Sequence, residues 1–335
     1  MLGDFEMVKT NSLKAWFLAA RPKTLTGAIA PVLVGAAFAF AFTNFQFSIG
    51  YAELKVFNFQ FSIFNFQFSL CLLFAIFMQI NANLINDYFD FKKGTDREDR
   101  LGPERACAQG WITPRAMQWG IAVMTFFSCL IGLAILLLHL QWELLLVGVF
   151  CVLFCFLYTT HLSYLGWGDL LVLIFFGFVP VVFTYYVITA GEWNTPLQIA
   201  SLAMGLATDN LLMVNNYRDR HQDKVSGKRT IIVRIIEAQI KRHGEELGRK
   251  KGEKICLNLY LWLGIIATLL AFTSLFTATF TFRLSSLINL IYLFLHFKTY
   301  RQLKALDGKA LNQVLGATAR NIFLFGLLLA ISVLL

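Results

Sequence analysis

An all-α polytopic membrane protein with about nine transmembrane helices is the fold this sequence predicts, and three observations carry the prediction. Of its 335 residues, 57% are hydrophobic and only 15% charged, with a mean hydropathy of +0.63. A soluble domain carries about 25% charged residues, so the shortfall points to lipid as the solvent. Apolar runs of membrane-spanning length recur along the whole chain, where a soluble fold shows one or two at most. The basic residues also segregate: of 29 Lys and Arg, all but Lys55 and Arg283 fall in segments that the spans bring to one side. The positive-inside rule makes that side cytoplasmic. The net charge of +9 is thereby a matter of topology, and no nucleic-acid partner is implied.

Met1 to Lys14 is polar and lacks the layout of a cleavable signal peptide, so the first span, about 24–43, is expected to stay in the protein. The segment 43–70 then repeats itself, with NFQFSI at Asn44–Ile49 and Asn58–Ile63 and NFQFSL at Asn65–Leu70. Phe alternating with polar residues predicts an extended outer loop or an interfacial aromatic belt rather than a span. Further spans follow at about 69–88, 117–138, 142–159, 168–190, 197–216, 258–279, 284–298 and 318–335. This order puts the N-terminus and the loops 89–116, 217–254 and 298–320 in the cytoplasm and the C-terminus outside. The charged stretch Ile231–Lys254 reads as a surface helix. No polar stretch is long enough for a second domain, so residues 1–335 are expected to form one. The six cysteines contain no C-x-x-C pair, and Cys151 and Cys155 read as small packing residues.

The chemistry concentrates at two span ends. Asn83, Asn86, Asp87 and Asp90 fall on one face of a helix, with Lys93 and Asp96 just beyond. Carboxylates and amides are costly to hold beside lipid, and oxygen-rich clusters of this kind suit a hard cation such as Mg²⁺. A solvated helix end would also be polar, but the motif recurs. Asn215, Asp219 and Asp223 stand four apart at the end of the sixth span, matching the N-x-x-x-D of Asn86 and Asp90. Both sites open on the cytoplasmic side and can face each other across one cavity. Two acidic clusters so placed repel each other, and cations together with an anion would bridge them. A diphosphate with Mg²⁺ meets that need, with Lys92, Lys93, Arg218, Lys228 and Arg229 to neutralise the remainder. An allylic isoprenoid diphosphate also accounts for the membrane setting. The five histidines are scattered with no ligand spacing, and there is no P-loop or nucleophile elbow.

Asn86-Asp-x-x-Asp90 and Asn215-x-x-x-Asp219-x-x-x-Asp223 resemble the two aspartate motifs of the UbiA superfamily of intramembrane prenyltransferases. Arg21-Pro-Lys-Thr-Leu-Thr-Gly, Asp90-Phe-Lys-Lys-Gly-Thr-Asp96, Arg100-Leu-Gly-Pro-Glu-Arg105 and Gly168-Asp-Leu are similar to its 1,4-dihydroxy-2-naphthoate polyprenyltransferase branch. The resemblance implies a helical bundle around a central cavity in the cell (inner) membrane. It further implies a reaction joining a polyprenyl diphosphate to 1,4-dihydroxy-2-naphthoate, with loss of diphosphate and CO₂, in menaquinone synthesis. Asn86, Asp90, Asp96, Asn215, Asp219 and Asp223 are then implied to hold Mg²⁺ and diphosphate, with Asp90 and Asp219 central to catalysis. Arg21, Lys23, Asn83, Lys93, Arg105, Arg218 and Lys228 are candidate substrate contacts. The resemblance likewise implies that Tyr158, at the inner end of the fourth span, stabilises a carbocation by its ring face. No obligate protein partner is implied. Three features depart from the family: the Phe-rich repeats, Asp209 inside the sixth span, and a Gly-poor Thr159-Thr-His161. Other aromatic acceptors (4-hydroxybenzoate, haem, a chlorophyllide) and a cation transporter are the competing readings.

Overall fold

The computed structural model describes residues 8–44, 53–94, 100–280 and 284–335, with side chains outside 43–64. Asp96 and the first Phe-rich copy beyond Asn44 therefore lie outside the described residues. Among those described, helices account for nearly all regular structure, and eight are long and apolar enough to cross a membrane.

A short helix α1 (Leu13–Ala20) opens the fold, capped by Ser12, whose hydroxyl accepts from Ala15 N at 3.3 Å. It stops because Arg21 adopts a left-handed conformation (φ 52°) and Pro22 cannot extend it. Asn83 holds this break from the side, donating to Ala20 O and to Thr24 Oγ1, each at 2.9 Å. Helix α2 (Pro22–Asn44) then enters the bundle. Helix α3 (Glu53–Lys93) has 41 residues, a length of roughly 62 Å that exceeds the bilayer.

The second and third Phe-rich copies thus belong to α3, which corrects the extended loop expected there. The physical reason is cooperativity: residues added to an existing helix need no new nucleus, and a short period-two pattern does not outweigh that. Side chains at 65–70 show the docking, with Gln67 Nε2 lying 3.2 Å from His139 Nε2 on the neighbouring helix.

Helix α4 (Pro114–His139) starts at a Thr113 cap, and α5 (Trp142–Leu157) runs into a π-helical turn at Tyr158–Leu162. The next span is composite: α6 (Gly168–Val172), a second π turn (Leu173–Phe178) and α7 (Val179–Ile188). Where it crosses α8 (Thr195–Val225), Gly177 lets the backbones meet, since a Cβ there would lie 2.7 Å from Gly205 Cα. Amphipathic α9 (Ile231–His243), α10 (Glu245–Thr279), α11 (Leu290–Ala305) and α12 (Leu311–Leu334) complete the chain.

The expected span at 284–298 is not one α-helix. A 3-10 segment (Leu284–Asn289) leads into α11, whose 16 residues turn polar from Lys298 onward, so this ninth segment is not among the eight helices of spanning length. The main core lies among α2, α7, α8, α10 and α12 and is rich in alanine (Ala30, Ala37, Ala200, Ala203, Ala207, Ala267, Ala271). Small residues let membrane helices approach where no water drives them together.

Candidate active site

The ends of α3 and α8 and the two π turns line one cavity of about 910 Å³. Its polar end carries Arg21, Asn86, Asp90, Arg100, Arg105, Asn215, Asp219, Asp223 and Lys228. Its other end is apolar, walled by Phe74, Met78, Phe154, Phe175, Phe183 and Val187. The two acidic motifs read from the sequence therefore do face a common space.

Their carboxylates are held by cations. Arg105 Nη2 donates to Asp90 Oδ2 at 2.8 Å, and Lys228 Nζ stands 3.7 Å from Asp223 Oδ1. Arg218 clamps Asp219 through two bonds, Nε to Oδ1 at 2.7 Å and Nη2 to Oδ2 at 2.6 Å. Asp223 keeps its buried Oδ2 without a hydrogen-bond partner. Across the mouth, burial and then the charge of Arg105 pull the Arg21 guanidinium down to about 9. An anion bound between Arg21, Arg100 and Arg105 would relieve that crowding of positive charge.

Several expected residues are placed differently by the structure. Asn83 supports the α1–α2 break, Lys23 is exposed, and Arg218 is buried behind Asp219, so none of the three lines the cavity. Lys93 does line it, but its Nζ donates to Thr160 O at 2.8 Å and Thr159 O at 3.2 Å and lies over the Tyr164 ring. These bonds take up carbonyls of the π turn and fix the backbone that carries Tyr158. Tyr158 lines the cavity at the inner end of the fourth span. Beside it, Thr159 Oγ1 hydrogen-bonds Asn86 Oδ1 and ties that turn to the first motif.

Asp87 has a separate task. Its oxygens accept Ala106 N at 2.8 Å and Cys107 N at 2.9 Å, so it anchors the loop that delivers Arg105. Spacing alone does not single out Arg100 or Thr159, and it places Asp87 on the motif face without disclosing its loop partners, because these roles depend on how loops fold back. Asp209 is buried near Asp169 and does not line the cavity.

The donor set fits Mg²⁺. Asn86, Asp90, Asn215, Asp219 and Asp223 offer hard oxygens only, and one buried carboxylate oxygen is unsatisfied. Among the described residues, no three His, Cys, Asp or Glu side chains come close enough to hold a metal by themselves. That suits an ion which takes one or two carboxylates and completes its shell with water and substrate phosphate.

Comparison with known proteins accords with this arrangement. The chain is 34% identical over 234 residues to 1,4-dihydroxy-2-naphthoate octaprenyltransferase of Haemophilus influenzae, covering 67% of this chain and 70% of that protein. It is 32% identical over 255 residues to the protein of the same name from Escherichia coli, covering 74% and 76%. A UbiA homolog from Archaeoglobus fulgidus, solved with DMAPP and Mg²⁺, shares the fold at a TM-score of 0.52 and 13% identity, covering 94% of this chain and 99% of that one. A structure of a digeranylgeranylglyceryl phosphate synthase does so at 0.55 and 18%, covering 96% and 98%. With the UbiA prenyltransferase family model matching residues 28–313, the chain belongs to that family.

Proposed function

We propose that this protein transfers a polyprenyl group from its diphosphate to 1,4-dihydroxy-2-naphthoate, releasing diphosphate and CO₂, in menaquinone biosynthesis. The observation that carries the reading is the single cavity, acidic and basic at one end and apolar at the other. Such a space accepts a diphosphate head and an isoprenoid tail together. The relatives from H. influenzae and E. coli, both named as octaprenyltransferases of this acceptor, support the choice of naphthoate.

Asn86, Asp90, Asn215, Asp219 and Asp223, with Asp96, would hold Mg²⁺ against the diphosphate. Mg²⁺ would supply charge neutralisation that makes diphosphate a better leaving group. Arg21, Arg105 and Lys228 bind and orient the diphosphate, and Arg100 extends that basic wall. As the allylic C–O bond breaks, the electron pair leaves with diphosphate. Tyr158 presents its ring face to the cationic carbon, and the phenylalanine-lined walls keep water from quenching it. The electron-rich naphthoate ring then forms the new C–C bond, and loss of CO₂ restores its aromaticity. The mouth opens to the cytoplasm in this reading, because the loops around it carry the excess of Lys and Arg.

The test is product analysis in membranes given a polyprenyl diphosphate, Mg²⁺ and either 1,4-dihydroxy-2-naphthoate or 4-hydroxybenzoate. Prenylated naphthoquinol with stoichiometric CO₂ is expected from the first acceptor. Product from 4-hydroxybenzoate alone would keep a prenyltransferase and refute the naphthoate.

A further inference from the structure

Arg218 is 1% exposed, and its guanidinium reaches far more than Asp219. Nη2 also donates to Asn215 Oδ1 at 2.8 Å, so one side chain holds two members of the second motif. Nη1 donates to Asn312 Oδ1 at 2.8 Å. Asn312 stands in the first turn of α12, away from both acidic motifs, and does not line the cavity.

The other end of that amide is also engaged. Asn312 Nδ2 donates to the carbonyl of Leu101 at 2.8 Å. Leu101 precedes Gly102 in the loop whose Arg100, Pro103 and Arg105 line the mouth. The loop lies directly on the guanidinium: a Cβ at Gly102 would be 2.8 Å from Arg218 Nη2. A carboxamide can accept from a guanidinium and donate to a carbonyl at once. A carboxylate of the same size loses the donor, and leucine loses both functions.

The geometry points to Asn312 as a positioning residue that sets the acidic and basic sides of the diphosphate site against each other. Through Arg218 it fixes Asp219 and Asn215. Through Leu101 it fixes the loop that brings Arg100 and Arg105 opposite them. This inference rests on the Mg²⁺–diphosphate reading of the cavity. It assigns Asn312 no contact with substrate. Partners of this kind, which orient ligands from outside, typically change metal affinity or activity about 10–100-fold when lost.

The experiment uses the full chain in detergent, with Mn²⁺ as an EPR-visible substitute for Mg²⁺ in the presence of inorganic diphosphate, alongside steady-state kinetics. Asn312→Leu is expected to weaken Mn²⁺ binding and lower kcat, each roughly 10–100-fold, and to raise KM for the prenyl diphosphate. Asn312→Asp keeps an acceptor for Arg218 and loses the donor to Leu101. It should regain near-normal Mn²⁺ affinity while its KM for the prenyl diphosphate stays raised. Thr318→Val is the control for mere destabilisation, because it removes the buried 3.1 Å Tyr260–Thr318 hydroxyl pair from the same helix. It should lower thermal stability and leave Mn²⁺ affinity and KM alone.

Unchanged Mn²⁺ affinity and KM in folded Asn312→Leu would overturn the inference, as would equal losses in Thr318→Val. Should Asn312→Leu fail to fold, a normal KM in Asn312→Asp would overturn it instead. Failure of the wild type to bind Mn²⁺ with diphosphate would refute the metal site itself, while the KM comparison would still decide the role of Asn312.

Discussion

The two motif-bearing helix ends share a spacing and differ in what holds them. At the end of α3 the supports come from one loop and one π turn: Asp87 takes two amides from Ala106 and Cys107, Lys93 takes two carbonyls from the π turn, and the side chains of Arg105 and Thr159 from those same segments hold Asp90 and Asn86. At the end of α8 the supports are side chains from other helices. Arg218 joins Asp219 and Asn215 to Asn312 on α12, and Arg220 joins Tyr217 O to Glu253 on α10 and to Asp307. The second motif is thus braced across the helices of the bundle, whereas the first is held by a loop and a π turn, with Ala106, Cys107 and Ile112 of that loop packed on Leu84 and Ile85 of α3. Equal spacing on two helices gives equal ligands and leaves the rigidity of the two sites to their surroundings.

That contrast can be broken by mutation. The largest effect should come from the ligands: Asp90→Ala or Asp219→Ala is expected to lower prenyl transfer by roughly 10²–10³-fold or more, the scale seen when a group stabilising developing charge is removed. Product formation in membranes of equal protein content measures it.

Smaller effects sharpen the comparison. Arg220→Ala removes a buried guanidinium from Glu253 and from the Tyr217 carbonyl, and should cost about 1–3 kcal/mol of stability, read as a lower thermal midpoint in detergent. Asp307→Asn should cost less than about 1 kcal/mol, because the Asp307 side chain is 70% exposed and its pair with Arg220 is screened by water. Equal losses from the two substitutions would contradict a bundle-supported α8 end. On the α3 side, Asp87→Ala leaves two buried amides without an acceptor. It should raise KM for the prenyl diphosphate by moving Arg105, with a stability cost of about 1–3 kcal/mol.

The smallest expected effect is at Lys93. Lys93→Gln keeps a donor for the π-turn carbonyls and should cost less than about tenfold in activity, while Lys93→Met should cost more. Equal losses in the two would show that Lys93 acts through its charge on the diphosphate instead.

Much of the site could be read before any coordinates, because an N-x-x-x-D spacing fixes a helix face whatever the rest of the chain does. That is why Asn86, Asp90, Asn215, Asp219 and Asp223 appear together in one cavity. What the spacing could not reveal is which neighbouring polar residues face inward to substrate and which face the scaffold. Asn83 and Arg218 sit on motif helices and look like ligands, yet one pins the α1–α2 break and the other pins Asp219. What fixes them inward lies far off in the chain, Ala20 at 63 residues from Asn83 and Asn312 at 94 residues from Arg218, so no local pattern encodes it. The Phe-rich segment failed for a different reason: its alternation is genuine, but α3 extends through the part of it that is described. Likewise, hydropathy marked an apolar segment at 284–298 without disclosing that a 3-10 opening leaves it short of a full spanning helix.

The central claim is that the two motifs act on one diphosphate across one cavity. A double-mutant cycle of Asp90→Asn and Asp219→Asn on Mg²⁺-dependent prenyl transfer tests it most directly. Residues that serve one reacting group are strongly non-additive, so the double variant is expected to be scarcely slower than the worse single one. Multiplying losses, as for two independent sites, would contradict the account.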